Sequence, residues 1–219
     1  MIPTKLKYFL FLFGCLTFIC NAQKAKDFTE EVAMIAKRYD SIWDEKKETI
    51  VFTGSSSVRL WEGLEDLFPD HQILNTGFGG SQTRDLLKHL QPLVLSYKPK
   101  MVFIYEGDND INFKKRPNRV IRITRKIVDR IWQHYPDTRV VLISTKPSIV
   151  RWELKKRYIK LNLKLKEYAE QSPQIAFANV WDVMLRNQVI DESLFIEDGL
   201  HMNQKGYDLW YEVIKPFLN

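Results

Sequence analysis

The sequence predicts a three-layer α/β/α sandwich built on a mainly parallel five-stranded sheet. Three observations predict it. Five short apolar runs rich in β-branched and aromatic residues recur along the chain, longer amphipathic helical patterns separate them, and most runs stop at a glycine, proline or small polar residue. Strands of that length alternating with helices make βα units, whose strands lie parallel and are covered on both faces.

Taken in order, Phe28–Glu45 spaces its apolar residues at helical period and ends in a charged stretch. Thr49–Thr53 is the first strand and stops at Gly54. Gln72–Asn75 is a shorter strand before a glycine-rich turn, Met101–Tyr105 a third that ends near Gly107, Arg139–Ser144 a fourth before Pro147, and Ile175–Val180 a fifth. Helical patterns cover Arg84–Ser96, Arg119–His134, Glu153–Ser172 and Gln204–Phe217. No internal repeat, low-complexity tract or Pro/Gly-rich linker interrupts the series, and 219 residues suit a single domain. The domain is expected over residues 48–219, with segment 23–47 supplying a helix that packs on it. Hydrophobic residues at 45% and charged residues at 27% exclude disordered, collagen-like and disulfide-scaffold classes.

The first 22 residues read as a signal peptide. Lys5 and Lys7 precede Tyr8–Cys20, an uncharged apolar run of signal-core length, too short for a bilayer-spanning helix, and Cys20-Asn21-Ala22 places small residues at a cleavage site before Gln23. The chain is therefore expected to be exported, to the periplasm or the medium, with lipid anchoring at Cys15 a minor alternative. Cleavage removes two lysines from a formal charge of +6, and both cysteines. The exported chain then has neither a disulfide nor a thiol nucleophile.

Ligands of such sheets bind beyond the carboxyl ends of the strands. The loops there are Gly54-Ser55-Ser56-Ser57, Asn75-Thr76-Gly77-Phe78-Gly79-Gly80-Ser81 and Glu106-Gly107-Asp108-Asn109-Asp110; Asp198-Gly199-Leu200-His201 precedes the last helix. All are small, polar or capable of acid–base work. A serine nucleophile needs a base, and the base needs a carboxylate to orient it. Asp198 and His201 stand three residues apart, within reach across one turn. The N–H groups of Gly77–Gly80 and the Asn109 amide suit an oxyanion. Asp108 and Asp110 could be mistaken for a glycosidase carboxylate pair, but they bring no nucleophile or base, so structural roles are expected. With four histidines and no paired-ligand spacing, no metal site is expected, and neither a complete GxGxxG nor a phosphate loop is present.

Together the four loops resemble the SGNH (GDSL) hydrolase family, whose invariant Ser, Gly, Asn and His each stand in their own block. The resemblance implies a flavodoxin-like layering, Ser56 as nucleophile, His201 as base with Asp198, and an oxyanion hole of the Ser56 and Gly80 N–H groups with the Asn109 amide. It implies no cofactor. One position departs from the family pattern: Ser55 stands where an aspartate is usual. The activity implied is a serine esterase on acyl esters, of lysophospholipase or small-acyl type. Alternatives are a carbohydrate O-acetylesterase and a non-catalytic lipid- or glycan-binding envelope protein. Trp61 is expected to border the substrate pocket. Basic runs at Lys114–Arg116 and Lys155–Arg157 leave room for an anionic substrate or peripheral membrane contact, while no nucleic-acid motif is present.

Overall fold

A computed structural model of the chain describes residues 26–218. The expected signal peptide and both cysteines lie outside the described residues. The main sheet has five strands, β1 (Thr49–Gly54), β2 (Gln72–Asn75), β3 (Met101–Tyr105), β4 (Arg139–Ile143) and β5 (Ile175–Ala178), in the order β2-β1-β3-β4-β5 and parallel throughout. The helices are α1 (Thr29–Asp40), α2 (Ser56–Arg59), α3 (Thr83–Lys88), α4 (Leu90–Leu93), α5 (Asp108–Asn112), α6 (Pro117–His134), α7 (Lys155–Ala169) and α8 (Gln204–Ile214). A two-strand hairpin, β6 (Leu185–Arg186) with β7 (Val189–Ile190), lies outside the sheet.

Alternation of side chains along the strands divides the core into two layers. Val51, Val102, Ile104, Val140 and Leu142 face one side, where they pack with α1, α3, α6 and α7 through Val32, Leu86, Ile127 and Leu161. Ile50, Phe52, Phe103, Tyr105 and Val141 face the other, with Val58, Trp61 and the α8 residues Tyr207, Trp210 and Ile214. The buried strands are thus apolar on both faces, which is why they read as continuous apolar runs rather than alternating ones.

The expected helix over Arg84–Ser96 is broken. Pro92 lacks an N–H, and its ring crowds the carbonyl four residues back at Lys88, where α3 ends. The third helix-to-strand unit also starts later than expected: a 3-10 segment, Ile149–Leu154, precedes α7, and Arg151 within it leaves helical geometry at φ −123°. Between β1 and β3 the strand order reverses, so the loops that follow these strands part to opposite faces and leave a crevice.

Candidate active site

β1 pairs with β3 up to its last residue, Gly54 opposite Tyr105, so the loops after the two strands leave the sheet side by side. Gly54 turns the chain at φ +129°, and a Cβ there would lie 2.0 Å from the Tyr105 carbonyl oxygen. Only glycine fits this turn. Ser56 then opens α2. The next loop comes in just as close: a Cβ on Gly77 would stand 2.4 Å from the Arg59 nitrogen. Thr76 N–H and Phe78 N–H donate to the carbonyls of Phe52 and Gly54, which fixes this loop along the end of β1.

Ser56 and His201, 145 residues apart, meet here. His201 Nε2 lies 2.9 Å from Ser56 Oγ, and His201 Nδ1 lies 2.5 Å from Asp198 Oδ2. The other oxygen of Asp198 accepts the backbone N–H groups of Leu200 and His201, each at 2.8 Å. Partial burial works to raise the Asp198 pKa, but these hydrogen bonds outweigh it and hold the carboxyl below its usual value. An ionised Asp198 accepts a hydrogen bond from His201 Nδ1–H, which leaves Nε2 to accept from the Ser56 hydroxyl. Ser56 and His201 are half-buried and Asp198 is exposed, so this row of groups opens to solvent.

The Asn109 amide is held from both ends. Its Nδ2 donates to Ser55 Oγ (2.8 Å) and to the Ser81 carbonyl (2.9 Å), while its Oδ1 accepts both Nη1 and Nη2 of Arg151 at 3.2 Å. Ser55, at the position that departs from the family pattern, is buried, and its Oγ also accepts the Ser56 N–H at 2.7 Å. Two of the three expected oxyanion donors therefore converge on one oxygen at the distances an oxyanion would need. The third, Gly80 N–H, has no protein acceptor among the described residues and sits on an exposed residue with φ +82°.

Asp108 and Asp110 point away from the chemistry. Asp108 accepts Arg151 Nη1 (2.7 Å), Tyr158 OH (2.9 Å) and Tyr105 OH (3.0 Å). Burial pushes its pKa up, but the Lys146 and Arg151 charges and the Arg151 and Tyr158 hydrogen bonds prevail, and the group stays below its ordinary value. Asp110 accepts Thr83 N–H and Oγ1, which ties the second and third loops together. Glu106 accepts the Ser81 hydroxyl at 2.6 Å, and burial followed by the Asp110 charge pushes its pKa well up.

Trp61 is the correction. It is 2% exposed, stacks on Tyr207 at 5.5 Å and meets Trp210 edge-on at 5.8 Å. A ring so enclosed has no face left for substrate. Several supporting residues escaped the sequence reading: Arg151, Lys146 and Glu31, whose carboxylate accepts the Gly79 N–H at 2.8 Å. Each belongs to no motif and gains its partner only through tertiary packing. Among the described residues no group of three His, Cys, Asp or Glu is arranged to hold a metal ion, and no helix is long and apolar enough to cross a membrane.

Residues 40–209 match the family model of the GDSL-like lipase/acylhydrolase family. No curated protein matches the chain. Among solved structures, a protein from Streptococcus pneumonia superposes with TM-score 0.76 at 24% identity, covering 87% of this chain and 92% of its own. A GDSL-like lipase from Bacteroides thetaiotaomicron superposes with TM-score 0.69 at 22% identity, covering 84% and 96%. A variant of an acetyl-xylooligosaccharide esterase from Geobacillus gives TM-score 0.64 at 16% identity, covering 77% and 93%. At these identities the likeness to the solved structures is one of fold.

Proposed function

Because the chain belongs to the GDSL-like lipase/acylhydrolase family, we propose that it is a serine esterase whose nucleophile is Ser56, with His201 as general base and Asp198 as its orienting carboxylate. The observation that carries this reading is the hydrogen-bonded row Ser56–His201–Asp198, assembled from opposite ends of the domain. In the reaction, Ser56 Oγ attacks the ester carbonyl while His201 Nε2 takes its proton. Asp198 stabilises the imidazolium that forms. The carbonyl oxygen becomes an oxyanion and receives the Ser56 N–H, the Asn109 amide and the Gly80 N–H, with Ser55 Oγ giving up the first two. His201 then protonates the leaving alcohol. A water molecule, deprotonated by the same His201, releases the acid and frees Ser56.

The substrate is an acyl ester of lysophospholipid or small-acyl type. Two exposed apolar side chains, Ile149 and Val150, stand against Gly199 in the turn that carries His201, and offer an apolar ledge beside the base for an acyl chain. A glycan O-acetyl ester is the second reading, supported by the open, solvent-facing site and by the fold shared with an acetyl-xylooligosaccharide esterase. The apolar leader at Tyr8–Cys20 supports an exported enzyme.

Ser56→Ala is expected to lower kcat by about 10³-fold or more and to abolish covalent labelling by a fluorophosphonate. Equal hydrolysis of short p-nitrophenyl esters by Ser56→Ala and the unaltered protein rejects the assignment. A series of esters from acetyl upward separates the readings: a rate that peaks at acetate favours the O-acetyl substrate, and one that rises with chain length favours the lipid.

A further inference from the structure

The segment that leaves β4 touches both halves of the site. Ile149 and Val150 N–H donate to the Gly199 carbonyl at 2.9 and 3.3 Å, and Lys146 Nζ donates to the next carbonyl, that of Leu200. These two carbonyls lie between Asp198 and His201, so the segment grips the base-bearing turn. Five residues after Lys146, the Arg151 fork holds Asn109 Oδ1 through both of its Nη atoms and Asp108 through Nη1.

Lys146 is an unusual side chain to bury. It is 1% exposed, and Leu200 supplies its hydrogen-bond acceptor. A methionine would fill similar space without desolvating a charge. The ammonium is therefore kept at a cost in stability. The charged groups that face it are Asp108 from α5, Arg151 from the 3-10 segment and Asp198 from the turn, with the Phe195 ring 5.5 Å away. Burial pushes its pKa down to about 8; Asp108 and Asp198 pull it up and Arg151 pushes it down.

We propose that Lys146 and Arg151 are positioning residues, Lys146 for the base-bearing turn through the Leu200 carbonyl and Arg151 for the Asn109 amide. One segment of chain thereby sets the separation between the base and an oxyanion donor. The proposal rests on the reading of Ser56, His201 and Asp198 given above. Neither residue touches the reacting atoms. Their effect falls on the transition state, where small displacements of base or donor matter most.

The test uses Lys146→Met and Arg151→Lys in the mature chain. Lys146→Met is expected to fold. The folded-state pKa of Lys146 lies below its unfolded value of 10.5, so the unfolded chain binds the extra proton between about pH 8 and 10.5. The charged lysine thus costs stability at neutral pH, and methionine removes that cost. Arg151→Lys keeps a cation beside Asp108 but loses the fork on Asn109. Each variant is expected to lower kcat on p-nitrophenyl acetate about tenfold to a hundredfold with KM changed less than about threefold. The unaltered enzyme is expected to lose kcat as Lys146 gives up its proton near pH 8, because a neutral amine holds the carbonyl less firmly. Lys146→Met is expected to lack that alkaline limb. A kcat within about twofold of the unaltered enzyme in either variant, or an unchanged alkaline limb in Lys146→Met, overturns the proposal. Fluorophosphonate labelling separates the two levels of inference. If Ser56 is labelled in the unaltered enzyme and as fast in both variants, the positioning role is rejected alone. If the unaltered enzyme is not labelled at Ser56, the catalytic reading falls and the positioning role falls with it.

Discussion

Glu106 is a carboxyl whose neutral form the fold favours. It is buried beside Asp110, one oxygen takes the Ser81 hydroxyl, and the other, Oε2, has no hydrogen-bond partner among the described residues. Its folded pKa lies above its unfolded value of 4.5, so the folded state binds the proton more tightly. Stability from this group is present at low pH and is lost as pH rises from about 4.5 toward the folded value. Glu106→Gln, which mimics the protonated form, is expected to melt higher than the unaltered protein, by a margin that widens as pH rises above about 4.5. Melting curves with parallel pH dependence would remove the argument. At this scale the candidate site was legible where small polar residues gather in short motifs: Ser56, Asn109, Asp198 and His201 each lie in such a loop, and Ser56, His201 and Asp198 meet in one hydrogen-bonded row. Arg151 and Lys146 were not legible, because a lone basic residue in a loop looks the same whether it reaches solvent or a buried acceptor. Trp61 misled for the opposite reason. It is near Ser56 in sequence, but α2 ends at Arg59 and the ring is drawn into the core between Phe52, Tyr207 and Trp210.

Among the elements, the turn from β1 into α2 carries the tightest constraint. Gly54→Ala would force a side chain into φ +129° and against the Tyr105 carbonyl. It is expected to lower unfolding free energy by about 3 kcal/mol or more and to lower activity, since Ser56 moves with the turn. Denaturant unfolding checks this; an unshifted midpoint would mean the strands can part without cost. All five strands were foreseen, since a doubly covered strand is an apolar run with few competing readings. β1 gained one residue, Gly54, and β4 and β5 ended earlier than expected, at Ile143 and Ala178. The helices were less legible at their ends. Pro92 should have split Arg84–Ser96, but the apolar spacing runs through it. The β6–β7 hairpin went unseen because its two turn residues, Asn187 and Gln188, adopt φ +51° and +65° without a glycine to announce it.

The whole molecule is organised around β1, β3 and β4, which have strand neighbours on both sides and helices on both faces. Amide hydrogen exchange is expected to be slowest at Val51–Thr53, Val102–Ile104 and Val140–Leu142, and fastest among the strands in β6 and β7, a pair of two-residue strands with an exposed Val189. Equal protection in the hairpin and the central strands would contradict this ranking. The fold class could be read from the chain because βα alternation permits few topologies. The candidate site was sought at one end of the sheet because a parallel sheet puts all its outgoing loops there.

The last helix has a role that its distance from Ser56 in sequence conceals. Tyr207 OH donates to the Ser57 carbonyl, and Trp210 packs on Trp61, so α8 braces the short helix that Ser56 opens, while the turn just before α8 brings His201. Ser56 and His201 are thus held together by elements from opposite ends of the described domain. The strands β1 to β4 alone would hold Ser56 without His201 and without the helix that braces α2. Cutting the chain between β5 and Asp198 would therefore part Ser56 from His201 and remove the brace on α2 without severing any strand of the main sheet.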